Sequence, residues 1–156
     1  MGYWLFKTEP DTFGIEDLKH RPQQTEPWDG VRNYQARNFL RDSVALNDKV
    51  FIYHSSCKEV GIAGVAKVSR AGYPDETQFD PESAYYDPKA SRDNPRWYRV
   101  DVTFEQQFPR VLPLSTIKAT PAIHEIGLVK KGHRLSVMPV SAEEWQILMD
   151  MAQGIQ

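Results

Sequence analysis

Cysteine is almost missing from this 156-residue chain; Cys57 stands alone. That excludes an internal disulfide and any zinc site built from cysteines, and a reducing, cytoplasmic setting is the natural expectation. Long apolar runs are missing as well: none approaches the ~20 residues that a membrane span needs. The opening MGYWLFKTEP has no cationic segment leading into an apolar stretch, so no secretory signal is expected. Met1-Gly2 begins like a myristoylation site, but Phe6 stands where that pattern wants Ser or Thr. The four histidines (His20, His54, His124, His133) are scattered, with no pair at ligand spacing, so no metal is expected. There is no GxGxxG, no P-loop and no GxSxG. The nucleotide-binding fingerprints and the nucleophile elbow are therefore excluded, and no cofactor is expected. Positive charge is not in excess either. Nineteen Lys and Arg face twenty-one Asp and Glu, a net charge of −2, which rules out a histone-like polycation.

What the chain does have is aromatic. Phe, Trp and Tyr make up 12% of it, with four Trp and seven Tyr. Either a bulky core or a surface that stacks on something flat would use them. At 40% apolar and 26% charged, the chain supports one ordinary globular domain over residues 1–156. Charge is uneven. Residues 28–70 carry seven bases against four acids, residues 71–106 carry four against eight, and residues 128–140 add Lys130, Lys131 and Arg134 with no acid. Arg32, Arg37, Lys130, Lys131 and Arg134 are thus candidate phosphate contacts that the global charge hides.

Residues 3–7 (YWLFK) read as a short aromatic strand. Gly14 leads into a short helix, IEDLKHR, and residues 21–32, with Pro22 and Pro27, read as a loop. Asn33 caps a helix with Ala36, Phe39 and Leu40 on one face. Strands are predicted at 48–54 and 61–70, where Gly61 and Gly64 suggest close backbone approach, and at 97–105 and 134–138. In 97–105, Tyr98, Val100, Val102 and Phe104 share one face. Ser141 and Glu144 form a capping box before a last helix with Trp145, Leu148, Met149 and Ala152 at helical spacing. The pattern predicts an α+β fold, a small curled, mainly antiparallel barrel or half-barrel with helices outside. Segment 71–96, with four prolines and no period, reads as a functional loop.

Four stretches carry hydrogen-bonding and aromatic groups together. Lys7, Thr8 and Glu9 end the first strand with a donor, a mixed group and an acceptor, either the edge of a pocket or a strand end entering solvent. Trp28 precedes the capped helix, either as a stacking face or as a staple over it; Asp29 or Asn33 could read a base edge there, with Arg32 and Arg37 adding charge. Tyr53-His54-Ser55-Ser56 closes a strand. Trp97 opens one, and with Trp28 could clamp a flat group worth roughly 1–3 kcal/mol of stacking.

YWLFKTEP, IEDL, WDGVRNYQARNFLR, YHSSCKEVGIAG, YPD, NPRWYRVDV and HRLSVMPV, together spanning Tyr3 to Val140, resemble the EVE-domain family, found in many small bacterial proteins. The resemblance implies a PUA-like fold akin to YTH domains. It implies a monomeric binding module that recognises a modified base, chiefly modified cytosine in DNA, or a modified base in RNA, flipped into an aromatic pocket. By motif, Lys7, Thr8 and Glu9 would form the pocket edge and Trp28 and Trp97 its walls, with Asp29, Asn33, Tyr34 and Ser55 near the base. Gly14 departs from the Ser expected there, which touches a helix cap and not the pocket. The alternative is an amidohydrolase acting on an acylated cytidine, like some ASCH domains, using Lys7, Thr8 and Glu9. Alternation along a strand points Thr8 away from the other two and counts against it.

Overall fold

In a computed structural model of the chain, which describes residues 1–154, the aromatic run near the N-terminus becomes an interior strand of the sheet. This strand, β1 (Tyr3–Thr8), is followed by α1 (Ile15–His20), β2 (Thr25–Pro27), α2 (Tyr34–Asn38), β3 (Lys49–His54) and β4 (Gly61–Pro74). Then come β5 (Tyr98–Pro113), α3 (Leu114–Lys118), β6 (Val137–Pro139) and α4 (Ala142–Gln153). The six strands form one mixed sheet in the order β2-β5-β4-β3-β1-β6. β1 runs parallel to β3; the other pairings are antiparallel. The α+β, mainly antiparallel expectation holds, but the sheet stays open instead of closing into a barrel.

Both faces of the sheet are covered, which explains why β1 is apolar at successive positions. Trp4 and Phe6 enter one core with Ile15, Leu18, Trp28 and Leu40. Leu5 enters the other with Phe51, Ile62, Trp145 and Leu148. The indole of Trp145 lies on Phe51 with ring centroids 3.7 Å apart, so α4 docks through the residues that its spacing predicted. Asp48, 3% exposed, ties the first residues down by accepting from the Gly2 amide (2.8 Å), the Trp4 indole (2.9 Å) and the Ala45 amide (2.9 Å).

The β4–β5 pair bends. Its register shifts at four places, and each one-residue slip turns side chains to the other face. Val100 and Val102 therefore sit in the first core, whereas Phe108 and Leu112, in the same even phase, sit in the second. That phase break is why β5 looks finished at residue 105 and in fact runs to Pro113. Gly64 permits the close approach, since a Cβ there would lie 2.3 Å from the Gln106 carbonyl oxygen.

The helix ends follow their signals, with one change of partner. Asn33 Oδ1 accepts from the Ala36 amide (3.0 Å), and Ser141 Oγ from the Glu144 amide (3.1 Å). The Glu144 carboxylate does not return to residue 141 to complete the predicted box. It is buried and accepts from the amides of His124, Glu125 and Ile126 at 2.8–2.9 Å, holding that loop onto α4. At α1 the glycine offers no side chain; Asp17 accepts from the Gly14 amide (2.7 Å), and His54 Nε2 accepts from the Ile15 amide (3.1 Å). Burial holds the His54 imidazole below its ordinary pKa, against the pull of Asp17, which keeps Nε2 free as an acceptor.

The segment read as one long loop begins as strand, because β4 extends to Pro74. From Asp75 to Trp97 its ends are held together by the Asp75 amide, which donates to the Trp97 carbonyl (2.9 Å), and by one buried side chain. Gln78, 0% exposed, donates from Nε2 to the carbonyls of Asp75 and Trp97 (both 2.8 Å) and accepts at Oε1 from the amides of Arg96 (2.9 Å) and Trp97 (3.0 Å).

Candidate nucleic-acid interface

A cavity of about 390 Å³ opens where β1 and β3 end, beneath the loop after β2. Its size lies in the range of small-ligand sites. Lys7, Thr8, Glu9, Trp28, Asp29, Arg32 and Ser55 line it, joined by Thr12, Phe13, Glu26, Gly30, Tyr85 and Ser136. Asn33, Tyr34 and Trp97 are not among the lining residues.

The geometry of β1 keeps the alternation, because Lys7 lies over Tyr53 of the second core while the Thr8 hydroxyl turns to the carbonyl of Phe13, which packs on the first. The strand ends at Thr8, and the chain turns at Glu9, whose carbonyl accepts from the amides of Thr12 and Phe13 (both 2.9 Å). Lys7, Thr8 and Glu9 all line the cavity at the end of the strand, from different directions. Their chemistry differs in availability, because the Thr8 hydroxyl donates to the Phe13 carbonyl at 2.5 Å. Lys7 is half-buried above the ring of Tyr53 (5.7 Å), and burial lowers its pKa. Across from it, the Ser55 amide is fixed to the Thr8 carbonyl (2.9 Å).

Trp28 is a floor and not a free plane. It is 6% exposed, packs against Phe6 and Phe13 (5.6 and 6.0 Å between centroids), and donates its amide to the Val100 carbonyl (2.7 Å). Trp97 is equally buried and faces elsewhere. Its ring stacks on Tyr34 at 4.9 Å and its indole N–H donates to Asp87 (2.8 Å). The two indoles therefore do not form the expected clamp. Tyr85, 41% exposed, supplies a further aromatic surface on the cavity, in addition to Trp28 and Phe13. Its ring lies against Gly30, where φ is +79° and a Cβ would sit 2.6 Å from the ring. Sequence alone shows no period around Tyr85; the signal was Asp-Gly at 29–30, a turn able to accept a ring at the glycine.

Asp75 organises this rim. Its carboxylate is fully buried and accepts from the Gly30 amide (2.9 Å), Arg32 Nη1 (3.1 Å), and the Thr77 amide (2.9 Å) and hydroxyl (2.5 Å). Burial alone would raise its pKa, but these donors outweigh it and hold the group below the usual carboxylate range. Arg32 also donates to Thr77 Oγ1 (3.0 Å) and, from Nε and Nη2, to the Tyr85 carbonyl. Its guanidinium is thus occupied as a clamp, which corrects its reading as a phosphate contact. Arg37 is likewise engaged, with the Arg96 carbonyl (2.6 Å) and Asn38 (2.9 Å). Asp29, 3.7 Å from Arg99, has its carboxyl pKa raised by burial and by the charge of Asp75, against the opposing pull of Arg99. Lys130, Lys131 and Arg134 are exposed on the segment that leads to Ser136 at the cavity edge. Away from the cavity, ligand-type atoms of His124, Glu125 and Glu144 lie within 4.8 Å of one another, but the Glu144 oxygens are taken by backbone amides.

The sequence pattern of the EVE domain matches residues 2–151. The chain belongs to the EVE domain family. Among curated relatives, thymocyte nuclear protein 1 of Danio rerio is 44% identical over 164 residues, covering 95% of this chain and 71% of that protein. The Homo sapiens protein of the same name is 42% identical over 167 residues, covering 97% and 74%. Among solved structures, a Pseudomonas putida protein is 51% identical with a TM-score of 0.92, covering 96% of this chain and 99% of that one. A crystal structure of human THYN1 protein in complex with 5-methylcytosine-containing DNA is 40% identical with a TM-score of 0.93, and each chain is covered in full.

Proposed function

We propose that this EVE domain binds DNA by taking a modified cytosine, flipped out of its stack, into the cavity under Tyr85. The observation that carries the reading is the match over its whole length to the human relative solved with 5-methylcytosine-containing DNA, in a chain whose cavity has the chemistry a cytosine needs. A cytosine edge offers an amino donor and ring acceptors. Asp29 and Glu9 line the cavity as acceptors for the amino group and Lys7 as a donor, with the Ser55 hydroxyl, which donates over 3.4 Å to the Thr8 carbonyl, able to turn to the base. The apolar surfaces of Trp28, Phe13 and Val31 suit a ring carrying an added methyl. Extruding a base costs a few kcal/mol, which stacking and these hydrogen bonds must recover. The exposed Lys130, Lys131 and Arg134 suit the backbone on either side. In this reading the domain binds as a monomer and without catalysis.

A second reading has one specific observation behind it. Lys7, Thr8 and Glu9 all line the cavity, and Lys7 has a lowered pKa, as an amidohydrolase acting on acylated cytidine would need.

One experiment separates the two. Fluorescence anisotropy compares oligonucleotides carrying 5-methylcytosine, plain cytosine and the RNA equivalents, while chromatography follows an acylated cytidine with the same protein. Modified DNA is expected to bind most tightly. Lys7→Ala and Ser55→Ala should each lose about 0.5–1.5 kcal/mol, roughly two- to tenfold in affinity. Trp28→Ala is the wrong probe, because removing a buried Trp costs about 3–5 kcal/mol of stability. Equal affinity for modified and plain cytosine refutes the reader, and turnover abolished in Lys7→Ala puts the hydrolase in its place.

A further inference from the structure

The Tyr34–Trp97 pair lies outside the cavity and is left unused by the function proposed above. Tyr34 opens α2 and is 47% exposed, the most exposed aromatic ring among the described residues. An exposed tyrosine usually samples several rotamers, but this one is pinned. Its ring stacks on Trp97 with an interplanar angle of 24°, and Arg96 Nη2 donates to its hydroxyl. The guanidiniums of Arg37 and Arg96 lie 4.9 and 5.7 Å from its centroid. Trp97 is fixed in turn by its indole bond to Asp87 and by Gln78.

We propose that Tyr34, with the guanidinium planes of Arg37 and Arg96, is a second stacking site that takes the nucleobase adjacent to the one in the cavity. The proposal rests on the reading of the cavity as a base site. Three features carry it. The first is continuity. The Arg32 guanidinium lies 5.4 Å from the ring of Tyr85, which lines the cavity, and 5.3 Å from Trp97, which bears Tyr34. One column of planes thus leads from the cavity rim to the exposed ring. The second is charge. Arg37 and Arg96 flank the ring against one carboxylate, Asp87, which pairs with Arg96 and accepts from Trp97, so the surround keeps a net positive charge although both guanidiniums also donate within the fold. The occupant that fits is flat, polarisable and joined to a negative group, as a nucleotide is. The third is order. A platform held in one rotamer before binding loses little entropy when a base settles on it. Stacking of this kind tolerates any base, so the site adds affinity and leaves the choice of modification to the cavity.

The test uses single-stranded DNA with one 5-methylcytosine, whose 5′ or 3′ neighbour is replaced by an abasic site, and a matching set with plain cytosine. Anisotropy titrations are run with wild type, Tyr34→Ala and Tyr34→Phe. For wild type, the abasic site on one side is expected to weaken binding about 5- to 100-fold, and on the other side to have little effect. Tyr34→Ala should show that loss already with intact DNA and be indifferent to the abasic site. Tyr34→Phe, which keeps the ring, should bind within a fewfold of wild type. The preference for modified over plain cytosine should be the same in all three. Wild type indifferent to both abasic sites, or Tyr34→Ala binding intact DNA as wild type does, overturns the proposal while leaving the cavity reading standing. Equal binding of modified and plain cytosine by wild type overturns the cavity reading and this proposal with it.

Discussion

Replacing Asp75 should unfasten the cavity rim, and the size of the effect follows from its contacts. Asp75→Ala leaves the Gly30 amide without its acceptor and removes the close partner of Arg32, 3.1 Å away, and a more distant one of Arg99, 3.8 Å away. Removing one member of a buried ion pair typically costs about 3–5 kcal/mol. Arg32 is 22% exposed and recovers some hydration, which places the loss toward the lower end. In a domain of this size each kcal/mol shifts Tm by ~2–4 °C, so a drop on the order of 6–16 °C is expected. Asp75→Asn keeps an acceptor but loses the charge, and should cost about 1.5–3 kcal/mol. The pH dependence identifies the origin. The folded-state pKa of Asp75 is depressed, so its contribution is complete above the unfolded carboxyl value of ~3.9 and is lost as pH falls through the folded value. The gap between wild type and Asp75→Asn in urea unfolding, followed by Trp fluorescence, should therefore be full at pH 7 and shrink below pH 4. DNA affinity should fall as well, even where the variant is fully folded, because Gly30 and Arg32 line the cavity. Asp75→Ala unfolding within ~0.5 kcal/mol of wild type, or a gap unchanged down to pH 3, would refute the reasoning.

Gly30→Ala should destabilise by about 1–2 kcal/mol from its positive φ alone and, by pushing the Tyr85 ring aside, weaken binding to modified DNA more than binding to plain DNA; calorimetry and anisotropy on the same sample check both. Affinity for DNA should fall as salt rises, and Lys131→Ala should weaken binding to all sequences alike and reduce the salt slope by ~1. A slope unchanged in that variant would place the phosphates elsewhere.

How much of this was legible in the sequence depended on how local each signal was. The caps at Asn33 and Ser141, the apolar β1 and the spacing of α4 are set within a few residues, and each appears as read. The parallel pairing of β1 with β3 and the short β2 depend on partners dozens of residues away and left no local trace. The site divides along the same line. Lys7, Trp28, Asp29 and Ser55 stand where chain segments leave the sheet, and they reach the cavity. Trp97 was misplaced because a strand-edge Trp looks the same from sequence whether it faces a ligand or a tyrosine. Tyr85 was missed because its position is fixed by Gly30 and by Arg32 at its carbonyl, neither of which is its neighbour in sequence. Glu144 satisfied a capping pattern, yet the unpaired amides of residues 124–126 claimed its carboxylate.

The four hydrogen bonds of Gln78 have a consequence for how this domain can be altered. A glutamine amide has two donor hydrogens and two acceptor lone pairs, and here all four are spent on backbone groups at the two ends of one segment. The chain between Phe79 and Asn94 therefore leaves and returns through a splice made at its ends, with Asp87 as an inner tether that accepts from the Trp97 indole and from Arg96. Doubling the length of such an excursion costs only about 0.6 kcal/mol in closure entropy. Tyr85 rides on that excursion, whereas Trp97 and the sheet lie beyond the splice. The wall over the cavity is thus a cassette that accepts insertion as long as Asp87 is kept, while the floor and the strand ends keep their places.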